Sequence, residues 1–145
     1  MIATITSAAV TTAAVAFWSG SGVTAAETMR VRFKINETEI TGILIDNATS
    51  RDLFARLPLT LTLEDYGDIE KIGYLPKKLS TDGAPAGSAP SAGDISYYAP
   101  WGNLAIFRKS FHHSNGLVSL GRVESGLEAL KHAGRVDVVI ERLDK

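Results

Sequence analysis

From Met29 onward the chain follows a two-residue period, and that period decides what it can fold into. Val31, Phe33 and Ile35 alternate with Arg30, Arg32 and Lys34. Leu59, Leu61 and Leu63 alternate with Thr60 and Thr62, and Val136, Val138 and Ile140 with Asp137 and Glu141. Successive side chains of a strand point to opposite faces, so each run has one apolar face that a neighbour must cover. Asn36-Glu37 reads as a turn and residues 40–45 as a returning strand, giving an N-terminal hairpin. Further strands are expected at residues 94–98, 104–108 and 117–123.

Two stretches leave this pattern. Thr49 and Asp52 resemble a capping box, after which Leu53, Phe54 and Leu57 share a helical face opposite Arg51, Asp52 and Arg56, until Pro58 stops the helix. Residues 125–132 are expected to form a second short helix, with Leu127 and Leu130 inward and Gly134 in the position of a terminal glycine. The acidic run Glu64-Asp65-Tyr66-Gly67-Asp68 lacks the spacing of an EF-hand and reads as a solvated turn. Residues 76–93, rich in Pro, Gly, Ser and Ala, read as a long surface loop. The inventory is mainly β, about eight strands and two short helices, and suits a small closed barrel with helices over its ends.

Composition narrows the function. With 145 residues, 45% hydrophobic and 21% charged, one globular domain is expected. Glu27 is the first charged side chain, so the chain from Met29 onward carries 15 basic and 15 acidic groups with no basic stripe, which argues against nucleic acid as a partner. The absence of Cys excludes thiol catalysis, disulfides and thiolate metal sites. His112 and His113 are adjacent and on a strand would face opposite ways, so no metal site is expected. Nucleophile elbows, phosphate loops and dinucleotide fingerprints are missing, and no cofactor is expected.

Residues 1–28 differ from the rest: an Ala-, Val- and Thr-rich run, then Ser19-Gly20-Ser21-Gly22, then small residues Val23 to Ala26 suited to signal cleavage. They read as an export signal, so that the domain is residues 29–145 and its location periplasmic or secreted. The alternative is a cytoplasmic protein whose translation starts at Met29. No membrane span is expected in the mature chain.

The densest group of costly side chains is Gly93 to Phe107, where Ile95-Ser96-Tyr97-Tyr98 and Leu104-Ala105-Ile106-Phe107 flank a Pro100-Trp101-Gly102 turn. By alternation, one of Tyr97 and Tyr98 belongs to the core and the other to a surface or groove. Tyr74, Tyr98, Trp101, Phe107 and Phe111, with Asn103 and Arg108 as polar anchors, are the candidate ligand-binding set. Trp101, in its turn, is the strongest single candidate.

This aromatic stretch, Leu59 to Tyr66, and the segment Gly121-Arg122-Val123-Glu124-Ser125-Gly126-Leu127 together resemble the small bacterial cyclophilin-like proteins. Leu120 to Gly126 is similar to the Phe-Gly-Lys-Val-x-x-Gly segment of cyclophilins, with Leu replacing Phe. The resemblance implies a barrel of about eight strands. In catalytic cyclophilins an Arg followed by Phe-x-x-Gln-Gly binds the proline peptide and favours its twisted amide, against a barrier of about 18 to 20 kcal/mol. This chain has no glutamine and no arginine at that spacing to a phenylalanine. The expectation is therefore a non-catalytic binding module for an extended peptide or small apolar ligand. The alternatives are a weak or divergent prolyl isomerase, with Arg108 as donor, and an interaction domain with a flat apolar patch. The oligomeric state is not readable here.

The export reading has a direct check. Protein recovered from its native host should begin within a few residues of Glu27, by N-terminal sequencing; an intact Met1 on a cytoplasmic protein contradicts it.

Overall fold

A computed structural model describes residues 28–143. The expected export segment lies outside the described residues. Ten strands are present: β1 (Met29–Ile35), β2 (Thr38–Leu44), β3 (Leu59–Tyr66), β4 (Glu70–Tyr74), β5 (Gly87–Ser88), β6 (Asp94–Tyr98), β7 (Asn103–Phe107), β8 (Ser114–Asn115), β9 (Leu117–Ser125) and β10 (Val136–Arg142). Eight close an antiparallel barrel in the order β1-β10-β3-β4-β7-β6-β9-β2, and β5 pairs with β8 outside it. The mainly β barrel expected from the sequence is what the chain forms.

Alternation explains the interior. Val31, Phe33, Ile40, Leu61, Leu63, Ile95, Tyr97, Leu104, Ile106, Leu120, Val138 and Ile140 all belong to one buried cluster inside the barrel. Their strand neighbours point outward, where charges pair across strands, as Arg32 does with Glu141 at 2.8 Å. The hairpin β1–β2 turns at Asn36, whose φ of 52° is in the left-handed region that asparagine tolerates. Tyr97 is the core tyrosine, and its hydroxyl accepts a hydrogen bond from the Leu79 backbone N–H at 3.1 Å. That bond anchors the long loop of residues 76–93 at its start.

The ends of the barrel are closed by the segments between strands. Leu59 pairs with Ile140 and Leu63 with Val136, so the start of β3 and the start of β10 lie at opposite ends. Helix α1 (Ala48–Ala55) leads into β3 and inserts Leu53 at one end; a 3-10 turn (Leu127–Leu130) precedes β10 and inserts Leu130 at the other. The N-cap of α1 is Asn47, whose side chain accepts from the Ser50 N–H, and not Thr49 as the capping-box pattern suggested. Thr49 is itself buried, and the amide of Asn47 also donates to the Ser119 carbonyl, which ties the cap to the barrel wall. The expected second helix is only this single 3-10 turn, entered through Gly126.

Two glycines of the Gly121–Gly126 segment are required sterically. A methyl at Gly121 would lie 2.0 Å from the Ile43 carbonyl oxygen. Gly126 has φ +87° and a methyl there would lie 2.6 Å from the Glu39 carbonyl. This segment therefore keeps the strand beside β2 and turns the chain under the barrel, a structural duty without chemistry.

Two substitutions test the alternation. Leu61→Ala empties a buried core position and should cost about 2 to 5 kcal/mol by denaturant unfolding. Thr60→Ala, on the exposed face of the same strand, should cost far less. Equal losses would contradict the inward assignment.

Candidate functional site

One sector of the barrel is buried on both faces. All five residues of β7, Asn103-Leu104-Ala105-Ile106-Phe107, are buried, although only Leu104 and Ile106 face the interior. On the outside, Ile72, Ala105, Phe107 and Leu117 form a second apolar cluster, with Ile69 and Tyr98 packed against it. An uninterrupted apolar run is how a strand covered on both sides reads in sequence.

The register arranges this outer face in rows. Tyr66, Glu70 and Phe107 are cross-strand neighbours on β3, β4 and β7. Two residues along the strands, Ile72 pairs with Ala105, and Ala105 with Ser96. Two further on, Tyr74, Asn103, Tyr98 and Leu117 complete the next row across β4, β7, β6 and β9. The rows are flanked by the long loop and by residues 108–116. These two segments are joined through the β5–β8 pairs and the bonds from Phe111 N–H to the Pro90 carbonyl, 3.0 Å, and from Gly116 N–H to the Ala86 carbonyl, 2.7 Å.

Trp101 folds over this floor from the β6–β7 turn. Gly102, φ +70°, closes the turn with its N–H on the Tyr98 carbonyl at 2.9 Å. The indole meets Tyr66 and Tyr98 edge-on, at centroid distances of 5.5 and 5.3 Å, bridging the first and third rows. Such edge-to-face pairs fix ring orientation. Trp101 nonetheless remains 47% exposed. Between these rings lies a cleft of about 200 Å³, lined by Tyr66, Glu70, Ile72, Tyr98, Trp101, Asn103, Phe107, Phe111, Ser114 and Leu117.

Five of the seven candidate residues therefore line one cleft: Tyr98, Trp101, Asn103, Phe107 and Phe111. Tyr74 shares a row with Asn103 but is 56% exposed and outside the cleft lining. Arg108 is on the other side of the sheet. Its side chain is 8% exposed, its Nη1 lies 3.0 Å from Asp65 Oδ1, and its guanidinium donates to the carbonyls of Leu130, Gly67 and Glu70. It is neither a cleft donor nor a solvated charge; it is a buried structural cation.

Asp65 is the hub of that arrangement. β3 runs through to Tyr66, so the acidic run is strand rather than solvated turn up to that point, and alternation aims Asp65 inward behind Leu61 and Leu63. Its partner in register, Lys71, is 1% exposed, and the Lys71 Nζ lies 2.9 Å from Asp65 Oδ1 and donates to the Gly134 carbonyl. The Gly134 N–H donates to Asp65 Oδ2 at 2.6 Å. That backbone donor first, and then the Lys71 hydrogen bond with the Lys71 and Arg108 charges, outweigh burial and hold the Asp65 carboxyl down to about 2.

The cleft itself has a different electrostatic character. Asn103 is 1% exposed; its Nδ2 donates to the Leu104 carbonyl at 3.1 Å, while its Oδ1 has no hydrogen-bond partner among the described residues. The half-buried Glu70 carboxylate also lacks an ionic or hydrogen-bonding partner among them, and burial alone raises its pKa above the ordinary carboxylate value. Tyr66, Glu70, Ile72, Ser114 and Leu117 were not in the candidate set. Extending the β3 alternation would have put Tyr66 outward, but the pairing of Glu70 with Phe107 is a long-range register that local pattern does not encode. Among the described residues no group of His, Asp and Glu is arranged to hold a metal ion, and no helix is long and apolar enough to cross a membrane.

The chain matches the cyclophilin-like family over residues 33–141, and it belongs to that family. A solution structure of a hypothetical protein from Archaeoglobus fulgidus has a similar fold, with a TM-score of 0.58 and 22% sequence identity. That match covers 80% of this chain and 95% of the archaeal one. No curated protein matches.

The Asp65 hub predicts an acid limb of stability. Because its folded-state pKa is depressed, the stabilisation is complete above the ordinary value of 3.8 and is lost as pH falls toward about 2. Glu70 works in the opposite sense, since protonation relieves a desolvated charge. Asp65→Asn should lower the melting temperature at neutral pH and flatten its decline between about pH 4 and pH 2. An unchanged acid limb in that variant would assign the loss to other carboxylates.

Proposed function

We propose that the protein is a non-catalytic binding module and that the outer-face cleft takes an apolar ligand or a segment of extended peptide. The observation that carries this reading is the convergence of Tyr66, Tyr98, Trp101, Phe107 and Phe111 on one open cleft with an unpartnered buried acceptor, Asn103 Oδ1. Rings held edge-on around a preformed concavity supply apolar contact at little entropic cost, and a few polar atoms then fix orientation. The same observation weighs against a flat interaction patch.

The isomerase alternative needs a donor aimed at an amide that is losing resonance. Arg108, the arginine next to the aromatic cluster in sequence, spends its guanidinium on Asp65 and three backbone carbonyls away from the cleft. Asn103 commits its Nδ2 to Leu104. The side-chain donors left in the cleft lining are the hydroxyls and the Trp101 indole N–H, none of them charged.

Binding and catalysis can be measured separately. Trp101→Ala should weaken ligand binding by about 1 to 3 kcal/mol while the melting temperature changes little, because the ring lies on the turn and outside the barrel core. The wild type should accelerate isomerisation of a proline tetrapeptide marginally at most. Robust catalysis by the wild type would favour the isomerase, and binding unchanged in Trp101→Ala would remove the cleft from consideration.

A further inference from the structure

Two acceptors of the cleft lack a partner among the described residues. The Glu70 carboxylate stands beside Phe107 and Tyr66 in the first row, with no counter-ion among the described residues. The nearby cations are committed elsewhere. Lys109, just past β7, pairs with Asp68 in the β3–β4 turn, Arg108 and Lys71 hold Asp65 on the inner side of the sheet, and Arg108 reaches Glu70 only at its backbone carbonyl. The second unpartnered acceptor is Asn103 Oδ1 in the third row. Around both stand aromatic faces, whose negative quadrupole attracts a cation.

We infer that the cleft receives the basic side chain, lysine or arginine, of an extended peptide partner, with Glu70 as counter-ion and Trp101, Tyr66 and Tyr98 as the surrounding rings. This inference rests on the cleft being a binding site and adds the charge of its ligand. An anionic or purely apolar occupant would leave the desolvated Glu70 carboxylate unsatisfied, whereas an ammonium or guanidinium donates to it and lies against π faces. Burial disfavours the Glu70 charge in the empty cleft, and a bound cation would restore it. A peptide suits the site better than a free organic cation. Small-molecule sites enclose most of their ligand, but Tyr66, Trp101 and Phe111 are all exposed at the rim, so the occupant's outer side stays open. A cleft of about 200 Å³ open on one side fits one long side chain delivered by a backbone crossing its mouth.

The test titrates the full-length protein with short blocked glycine peptides carrying a single central lysine, norleucine or glutamate, and with n-butylammonium. Binding is followed calorimetrically and by the Trp101 indole NMR resonance. The lysine peptide should bind roughly fivefold to tenfold more tightly than the norleucine peptide, with the glutamate peptide weakest. Glu70→Gln, which keeps the shape and removes the charge, should abolish most of that preference by weakening the lysine peptide and not the norleucine peptide. Equal binding of lysine and norleucine peptides by the wild type, or a preference that survives Glu70→Gln, overturns the basic ligand while leaving an apolar groove. Butylammonium binding as tightly as the lysine peptide overturns the peptide partner in favour of a free cation. Binding of none of the four, or binding indifferent to Trp101→Ala, overturns the cleft reading itself.

Discussion

Closure of the sheet is the constraint on which the rest of the structure depends. Once eight of the strands close the barrel, each has an inside that must be filled and an outside that is free to vary. Alternation fills the inside with one cluster running from Val31 to Ile140. Across β4, β7, β6 and β9 the outside also turns apolar, and there two loop segments cover it incompletely. The cleft is what that incomplete cover leaves. Its floor is rigid because it is the back of the core.

The charged groups divide between the two sides of the same sheet. Inside, at the end near the 3-10 turn, Asp65 holds Lys71 and Arg108 with help from the backbone of Gly134, Leu130 and Gly67. Buried cations without a partner would be costly, and both are held against the Asp65 carboxylate. Outside, Glu70 is left without a counter-charge among the described residues. A single strand, β4, thus sends Lys71 into the inner network and Glu70 to the cleft by the pleat alone.

Much of the barrel was legible in the sequence because its signal is local. The strict alternation at Val31–Ile35, Leu59–Leu63 and Val136–Ile140 marks strands, and Tyr97 and Tyr98 separate to core and cleft as adjacent strand residues must. The cap of α1 was read one turn of logic too late, at Thr49, because Asn47 also serves the Ser119 carbonyl and the pattern carries no trace of that contact. β4 was hidden by its composition: Glu70, Lys71 and Gly73 look like loop residues until Lys71 finds Asp65 and Gly73 lies close over Leu63. Arg108 beside Phe107 looked like an anchor for a ligand, and the partner that takes it inward lies 43 positions earlier, at Asp65. The rings at and just beyond the β6–β7 hairpin could be read; Tyr66 and Glu70, brought to them by the pairing of distant strands, could not.

The double burial of β7 also divides the molecule dynamically. Its amides and carbonyls are paired on both sides, to β4 and β6, and both its faces are covered, so this strand can exchange its hydrogens with solvent only through large-scale opening. The cleft walls are secured differently, by the two-residue pairing of β5 with β8 and a few loop bonds such as Phe111 to Pro90. Floor and rim therefore belong to separate cooperative units. The rim can open and reclose at a fraction of the free energy of unfolding, while the floor of the cleft keeps its shape throughout.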